Sequence, residues 1–153
     1  METTLIYIRN GNSYLMLHRV KKENDINRDK WIGIGGHFLA DETPVECALR
    51  EAYEETGLTL KELDYRGIVT FISDQNDEAE HMHLFTSDCY DGELKQCDEG
   101  DLMWIDKNEV LSLTIWEGDR IFLKFLDEDN SFFSLKLEYR GNDLVFSKID
   151  YIK

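Results

Sequence analysis

The sequence contains one proline, Pro44, three cysteines and no long apolar run. With so little proline, no Ser/Pro/Gly-rich tract and no repeat period, it carries no linker and no solenoid signature. Its 153 residues therefore read as one continuous domain, 1–153. Cys47, Cys89 and Cys97 cannot all pair with one another, which argues against a disulfide framework and for a reducing, cytoplasmic compartment. The longest apolar stretches, 121–126 and 135–137, fall far short of the roughly 20 residues a bilayer span needs, and Lys124 and Lys136 interrupt them. Met1-Glu2-Thr3-Thr4 has neither the basic start nor the apolar run of a secretory signal. Positive charge is also scarce: 17 bases stand against 32 acids, a net charge of −15. A field of that sign repels phosphate backbones and anionic lipid, so duplex nucleic acid and membranes are not expected partners.

What is present suffices for a packed globule, with 42% hydrophobic and 12% aromatic residues. Two strand-like runs, 3–9 and 13–19, flank Asn10-Gly11-Asn12 and predict a β-hairpin. A charged loop over 21–30 leads to a short strand over 31–36, whose Gly33, Gly35 and Gly36 permit close backbone approach. Thr43 as N-cap, Pro44 at the first helical position, Glu46 closing a capping box and Gly57 as stop together predict a helix over 44–56. On that helix Val45, Ala48, Leu49, Ala52 and Tyr53 share one arc, expected to pack, and Glu51, Glu54 and Glu55 lie opposite. Beyond it come extended chain over 58–73, an acidic loop over 74–80, a strand over 81–89, a turn at Asp91-Gly92 and a strand over 101–105. A second amphipathic helix over 117–127 and a hairpin of 131–139 with 143–151 around Arg140-Gly141-Asn142 close the chain. The sum is α+β, with strands dominating.

Three carboxylates gathered at spacings of three and four residues repel one another by about 0.2–0.5 kcal/mol per pair. Glu54 and Glu55 also sit near the helix C-terminus, where the macrodipole disfavours negative charge. A hard divalent cation, Mg²⁺ or Mn²⁺, converts that repulsion into coordination, since such ions take carboxylates, carbonyls, water and substrate phosphates as ligands. A solvated acidic face is the plainer alternative.

The spacing goes further: Gly36, five residues, Glu42, seven residues, then Arg50-Glu51-Ala52-Tyr53-Glu54-Glu55-Thr56-Gly57-Leu58. This resembles the Nudix box, with every fixed letter met and Ala52 standing where the family prefers a larger aliphatic residue. The resemblance implies the Nudix fold, a central mixed β-sheet flanked by α-helices in an α/β/α sandwich. It also implies hydrolysis of a nucleoside diphosphate linked to a further group. By the family pattern Glu51, Glu54 and Glu55 hold the metal, Gly35 offers its carbonyl, Arg50 orients the glutamates, and Glu42, Gly36 and Gly57 shape the loop-helix-loop. The general base falls to Glu54, Glu55 or the outlying Glu99. An anionic polyphosphate approaching a protein of net charge −15 needs local neutralisation, which makes a dication a requirement.

Outside the box the chain is similar to MutT-type oxidised purine nucleoside triphosphatases. The marks are Lys30-Trp31-x-Gly33-x-Gly35-Gly36, His83-Leu84-Phe85, Asp98-Glu99 ahead of Trp104, Trp116-x-x-Asp119 and a closing Gly-containing hairpin. By that pattern the activity is that of an 8-oxo-dGTP diphosphatase, releasing the monophosphate and pyrophosphate. Glu99 is then a further metal-side acid, Trp116 stacks on the base, Asp119 bonds the purine edge, and Thr4 and Arg19 line the pocket. His37, following Gly36, has phosphate within reach, or is a plain loop histidine. Two positions depart: Ile32 stands where that family has an asparagine, and Gly118 where it has a second aspartate. Trp116 and Trp31 also suit the core, Asp119 suits the first turn of a helix, and Cys47, His81 and His83 suit packing or surface roles. Alternatives to an oxidised purine are another nucleoside triphosphate, a nucleotide sugar or a dinucleoside polyphosphate. A non-catalytic Nudix module is disfavoured by the intact acids.

Overall fold

The computed structural model describes residues 1–21, 23–128 and 131–152; Lys22, inside the predicted 21–30 loop, lies outside them. The opening hairpin forms as predicted from β1 (Glu2–Asn10) and β2 (Ser13–His18), with Gly11 at φ +57°. The predicted 31–36 strand is split into β3 (Trp31–Ile32) and β4 (Ile34–His37), because β3 pairs with β2 and β4 pairs with β1. Gly33 sits at the crossing, where a Cβ would lie 2.9 Å from the Ile6 carbonyl oxygen. Gly35 approaches β1 more closely still: a Cβ there would stand 1.9 Å from the Thr4 carbonyl oxygen.

Helix α1 (Pro44–Thr56) has the predicted ends, with the Thr43 side chain accepting from the Glu46 amide, Glu46 returning to the Thr43 amide, and Gly57 at φ +81°. After it run β5 (Thr59–Leu60), β6 (Asp64–Ser73), β7 (Glu80–Ser87), β8 (Tyr90–Asp91) and β9 (Asp101–Asp106). A one-turn helix not anticipated from sequence, α2 (Lys107–Val110), precedes α3 (Glu117–Glu128) and the hairpin of β10 (Phe132–Arg140) and β11 (Asp143–Ile152). Among the described residues the main sheet runs β11-β10-β6-β7-β1-β2-β3, with β4 also on β1 and β9 also on β2; β5 pairs with β8 separately. It is mixed: β1 lies parallel to β7 and β6 to β10, and the remaining pairs are antiparallel.

Strand alternation sends neighbouring side chains to opposite faces, and the sheet thereby separates two cores. Tyr7, Tyr14, Met16 and Leu84 pack with Phe122, Leu123 and Leu126 of α3, while Ile6, Ile8, Leu15, Leu17 and Phe85 pack with Ala48 and Ala52 of α1. The layers are helix, sheet, helix, as expected.

One expectation fails. Val45, Leu49 and Tyr53 do not pack; they are 44%, 38% and 60% exposed, whereas Cys47, Ala48, Ala52, Glu55 and Thr56 are buried. The helix is rotated by roughly 80° from the face that apolar periodicity selects, so that Glu55 stands at the middle of the buried arc. Small side chains at Cys47, Ala48 and Ala52 allow α1 to sit close on the sheet, and that approach carries Glu55 inward.

Candidate active site

Rotation of α1 brings the acids against β4. A Cβ on Gly36 would lie 2.6 Å from the Glu51 carboxyl carbon, so a larger residue there would push the Glu51 carboxylate aside. Arg50 fixes the neighbouring acids with one guanidinium. Its Nε and Nη2 donate to the two oxygens of Glu42 at 2.7 and 2.9 Å, Nη1 donates to Glu51 at 2.8 Å and Glu54 at 3.0 Å, and Nη2 also reaches the His37 carbonyl at 3.0 Å. The Arg50 fork, helped by the Leu39 amide, holds the Glu42 carboxyl down to about 2.

Glu55 has a different environment. Burial, then the neighbouring Glu99 and Glu51, push its carboxyl well above the usual range, and the Gly35 amide, donating to Oε2 at 3.0 Å, only partly offsets this. A strand residue's amide and carbonyl point to the same edge, so the Gly35 carbonyl also faces away from β1, on the Glu55 side. Burial likewise raises Glu51. Glu99 accepts from Arg19 Nη1 at 3.1 Å, and Arg19 Nε is anchored on the buried carboxylate of Asp25 at 2.6 Å.

In kind, the donors fit a hard cation: carboxylates of Glu51, Glu54, Glu55 and Glu99, a backbone carbonyl, and two acids whose burial and mutual charge a cation relieves. Among the described residues no three acids, imidazoles or thiolates converge on one point as they stand, since Glu51 and Glu54 are turned onto Arg50 and Glu99 onto Arg19.

A cavity of about 460 Å³ runs from this acidic end to the start of α3. Thr4, Arg19, Ile32, Gly35, Gly36, His37, Glu99, Trp116 and Asp119 all line it. Glu51, Glu54, Glu55 and Arg50 flank it from α1 and are not in its lining. The His37 imidazole contacts the Met1 sulfur at 3.1 Å, and Thr4 Oγ1 lies 3.5 Å from Cys47 Sγ. At the far end Trp116 donates from Nε1 to the Asn27 side-chain oxygen at 2.7 Å, meets Tyr139 edge-on, and carries the Lys30 ammonium 4.5 Å from its ring centre. Burial pushes the Asp119 carboxyl up to about 7, opposed by Lys30.

Ile26, Asn27, Phe71, Leu137 and Tyr139 also line the cavity and carried no motif. Only the strand alternation of β10, which places Leu137 and Tyr139 on one face, gave a signal for any of them.

A NUDIX domain model matches residues 1–126, and the chain belongs to the Nudix family. An oxidized purine nucleoside triphosphate hydrolase of Danio rerio is 28% identical over 133 residues, 86% of this chain and 85% of that protein. YvcI, a Nudix hydrolase of Bacillus subtilis (strain 168), is 31% identical over 103 residues, 65% of each chain. The crystal structure of a mutator MutT protein from Bacillus halodurans superposes with a TM-score of 0.87 over 97% of both chains at 27% identity. The chain is thus a Nudix pyrophosphohydrolase with MutT-type relatives. No helix among the described residues is long and apolar enough to cross a membrane.

Proposed function

We propose that this hydrolase converts a nucleoside triphosphate, an oxidised purine such as 8-oxo-dGTP, to the monophosphate and pyrophosphate. The observation that supports this reading is a cavity that joins a glycine-floored acidic end to an aromatic end with one buried carboxyl. A nucleotide has the same two halves: a polyphosphate that needs cations and a base that stacks and hydrogen-bonds.

Glu51, Glu55, Glu99 and the Gly35 carbonyl, with Glu54 beside them, would hold Mg²⁺ or Mn²⁺. When bound, such an ion supplies charge neutralisation for the polyphosphate and acidity for water. Arg50 sets the angles of Glu51 and Glu54 through fixed hydrogen bonds. Glu54, the most exposed of the three helix acids at 56% of its side chain, is the proton acceptor from water. The water oxygen bonds to phosphorus, the bridging P–O bond breaks with its electron pair on the oxygen of the departing pyrophosphate or monophosphate, and the proton passes to Glu54. Trp116 and Asp119 orient the base. The buried Asp119 can accept from a purine N–H when ionised or donate when protonated.

The test is a nucleotide panel with Mg²⁺, following pyrophosphate against orthophosphate and comparing kcat/KM for 8-oxo-dGTP, dGTP and ADP-ribose. Pyrophosphate release and a preference for 8-oxo-dGTP are expected. Equal rates on 8-oxo-dGTP and dGTP would remove base-selective sanitation, and preference for ADP-ribose would remove the triphosphate reading.

A further inference from the structure

Gly118, in the first turn of α3, is buried, and its contacts show why no side chain stands there. A Cβ would lie 2.5 Å from Leu137 Cδ1 and 2.8 Å from the Tyr139 hydroxyl. With that space open, the Gly118 amide donates to the Tyr139 oxygen at 2.7 Å. The Tyr139 ring is held from two sides, tilted against Phe71 with centroids 5.1 Å apart and edge-on to Trp116 at 5.3 Å. Tyr139 is 3% exposed, yet it lines the cavity together with Trp116 and Asp119. A fixed polar atom therefore stands at the aromatic end, beside the carboxyl already assigned to the base.

The direction of its hydrogen bonding follows from its partner. The oxygen already accepts from Gly118, and among the described residues its proton has no acceptor. A buried hydroxyl in that state calls for an acceptor from whatever enters the cavity. Burial also pushes Tyr139 up to about 12, so it stays a hydroxyl, never a phenolate, at ordinary pH. We propose that the Tyr139 hydroxyl is a specificity-determining donor that selects a nucleobase presenting a carbonyl oxygen, as guanine does, over one presenting an amino group there, as adenine does. A guanine-type edge offers a carbonyl oxygen to Tyr139 and an adjacent N–H to Asp119. An adenine-type edge turns its amino protons toward an oxygen already occupied by Gly118 and leaves the hydroxyl proton unpaired, which is the costly case in a buried site.

This inference rests on the reading of the cavity as a nucleotide site, and its test omits hydrolysis so that the two fail separately. Calorimetric titration of metal-free protein with dGMP and dAMP, which share sugar and phosphate, reads base selection in the difference between them. Wild type is expected to bind dGMP more tightly. Tyr139→Phe, which keeps the ring, should lose about tenfold in dGMP affinity and change less than twofold for dAMP. Gly118→Ala, which crowds the hydroxyl from the other side, should lose the same preference, and Tyr139→Phe/Gly118→Ala should show no further loss of it. An equal loss for both nucleotides, an undiminished preference in Tyr139→Phe, or no preference in wild type would overturn the assignment. Pyrophosphate release from triphosphates, measured separately, reports on the proposed function whatever the outcome here.

Discussion

The two ends of the cavity are built in opposite ways. The acidic end is mostly one segment: Gly35, Gly36, Glu42, Arg50, Glu51, Glu54 and Glu55 fall in a single loop-helix stretch and touch one another within it, with Glu99 and Arg19 added from elsewhere in the chain. The aromatic end is assembled from the 23–30 loop, β6, α3 and β10, with Asn27 bonded to Trp116 across 89 positions of sequence. In the first, Glu42, Glu51 and Glu54 share the single Arg50 guanidinium, so a change at any one of them is felt by the others. The second can change residue by residue, since each wall comes from a different element. A family can in this way keep one chemistry and vary its substrate.

That contrast orders the expected effects of substitution. Glu54→Gln or Glu55→Gln should lower kcat by about 10²–10⁴-fold with an unchanged circular dichroism spectrum. Near-normal turnover in both would end the assignment of chemistry to α1. Because Glu55 is an acid held in a buried site, Glu55→Gln should melt no lower than wild type in metal-free buffer, yet lose any stabilisation by Mg²⁺ that wild type shows. Arg50→Lys keeps the charge but removes the fork that serves Glu42, Glu51 and Glu54, and activity should drop by about 10–100-fold, mainly in kcat. At the other end, Trp116→Ala should raise KM for nucleotides by about tenfold or more, the equivalent of a stacking loss of about 1–3 kcal/mol, and leave kcat less affected. An effect on kcat alone would erase the division between the two ends.

The smallest effect concerns stability. Burial lifts Asp119 from 3.8 to about 7, so the folded state holds a proton that the unfolded chain releases. The stability tied to that proton is full below pH 3.8 and is lost as pH rises through about 7. Lys30 opposes the shift, and the neighbouring Tyr7 and Tyr139 carry no charge in this range. Asp119→Asn should remove this component, so that urea unfolding of wild type and variant diverges by a lowering of the wild-type midpoint between pH 4 and 7. Parallel curves would show that Asp119 is ionised throughout.

Local chemistry along the chain dictated the ends of α1, the opening and closing hairpins and the spacing of the α1 carboxylates. Each of these depends on neighbours within a few positions: a capping box, a left-handed glycine, carboxylates three and four apart. Spacing marked Glu51, Glu54 and Glu55, and the resemblance to the Nudix box added Arg50. It was misleading about which face of α1 is buried, because Val45, Leu49 and Tyr53 outweigh the alanines in apolarity while the alanines win in fit. Whether a helix rotates to bury Ala48, Ala52 and Glu55 is decided by the distance at which it can sit on the sheet, and that distance is a property of both partners. The position of Glu99 beside Glu55, the Asn27–Trp116 bond and the seat that Gly118 makes for Tyr139 were likewise set by tertiary structure. Nothing in the local chain signals them, since each joins residues whose separation in sequence only the sheet order closes.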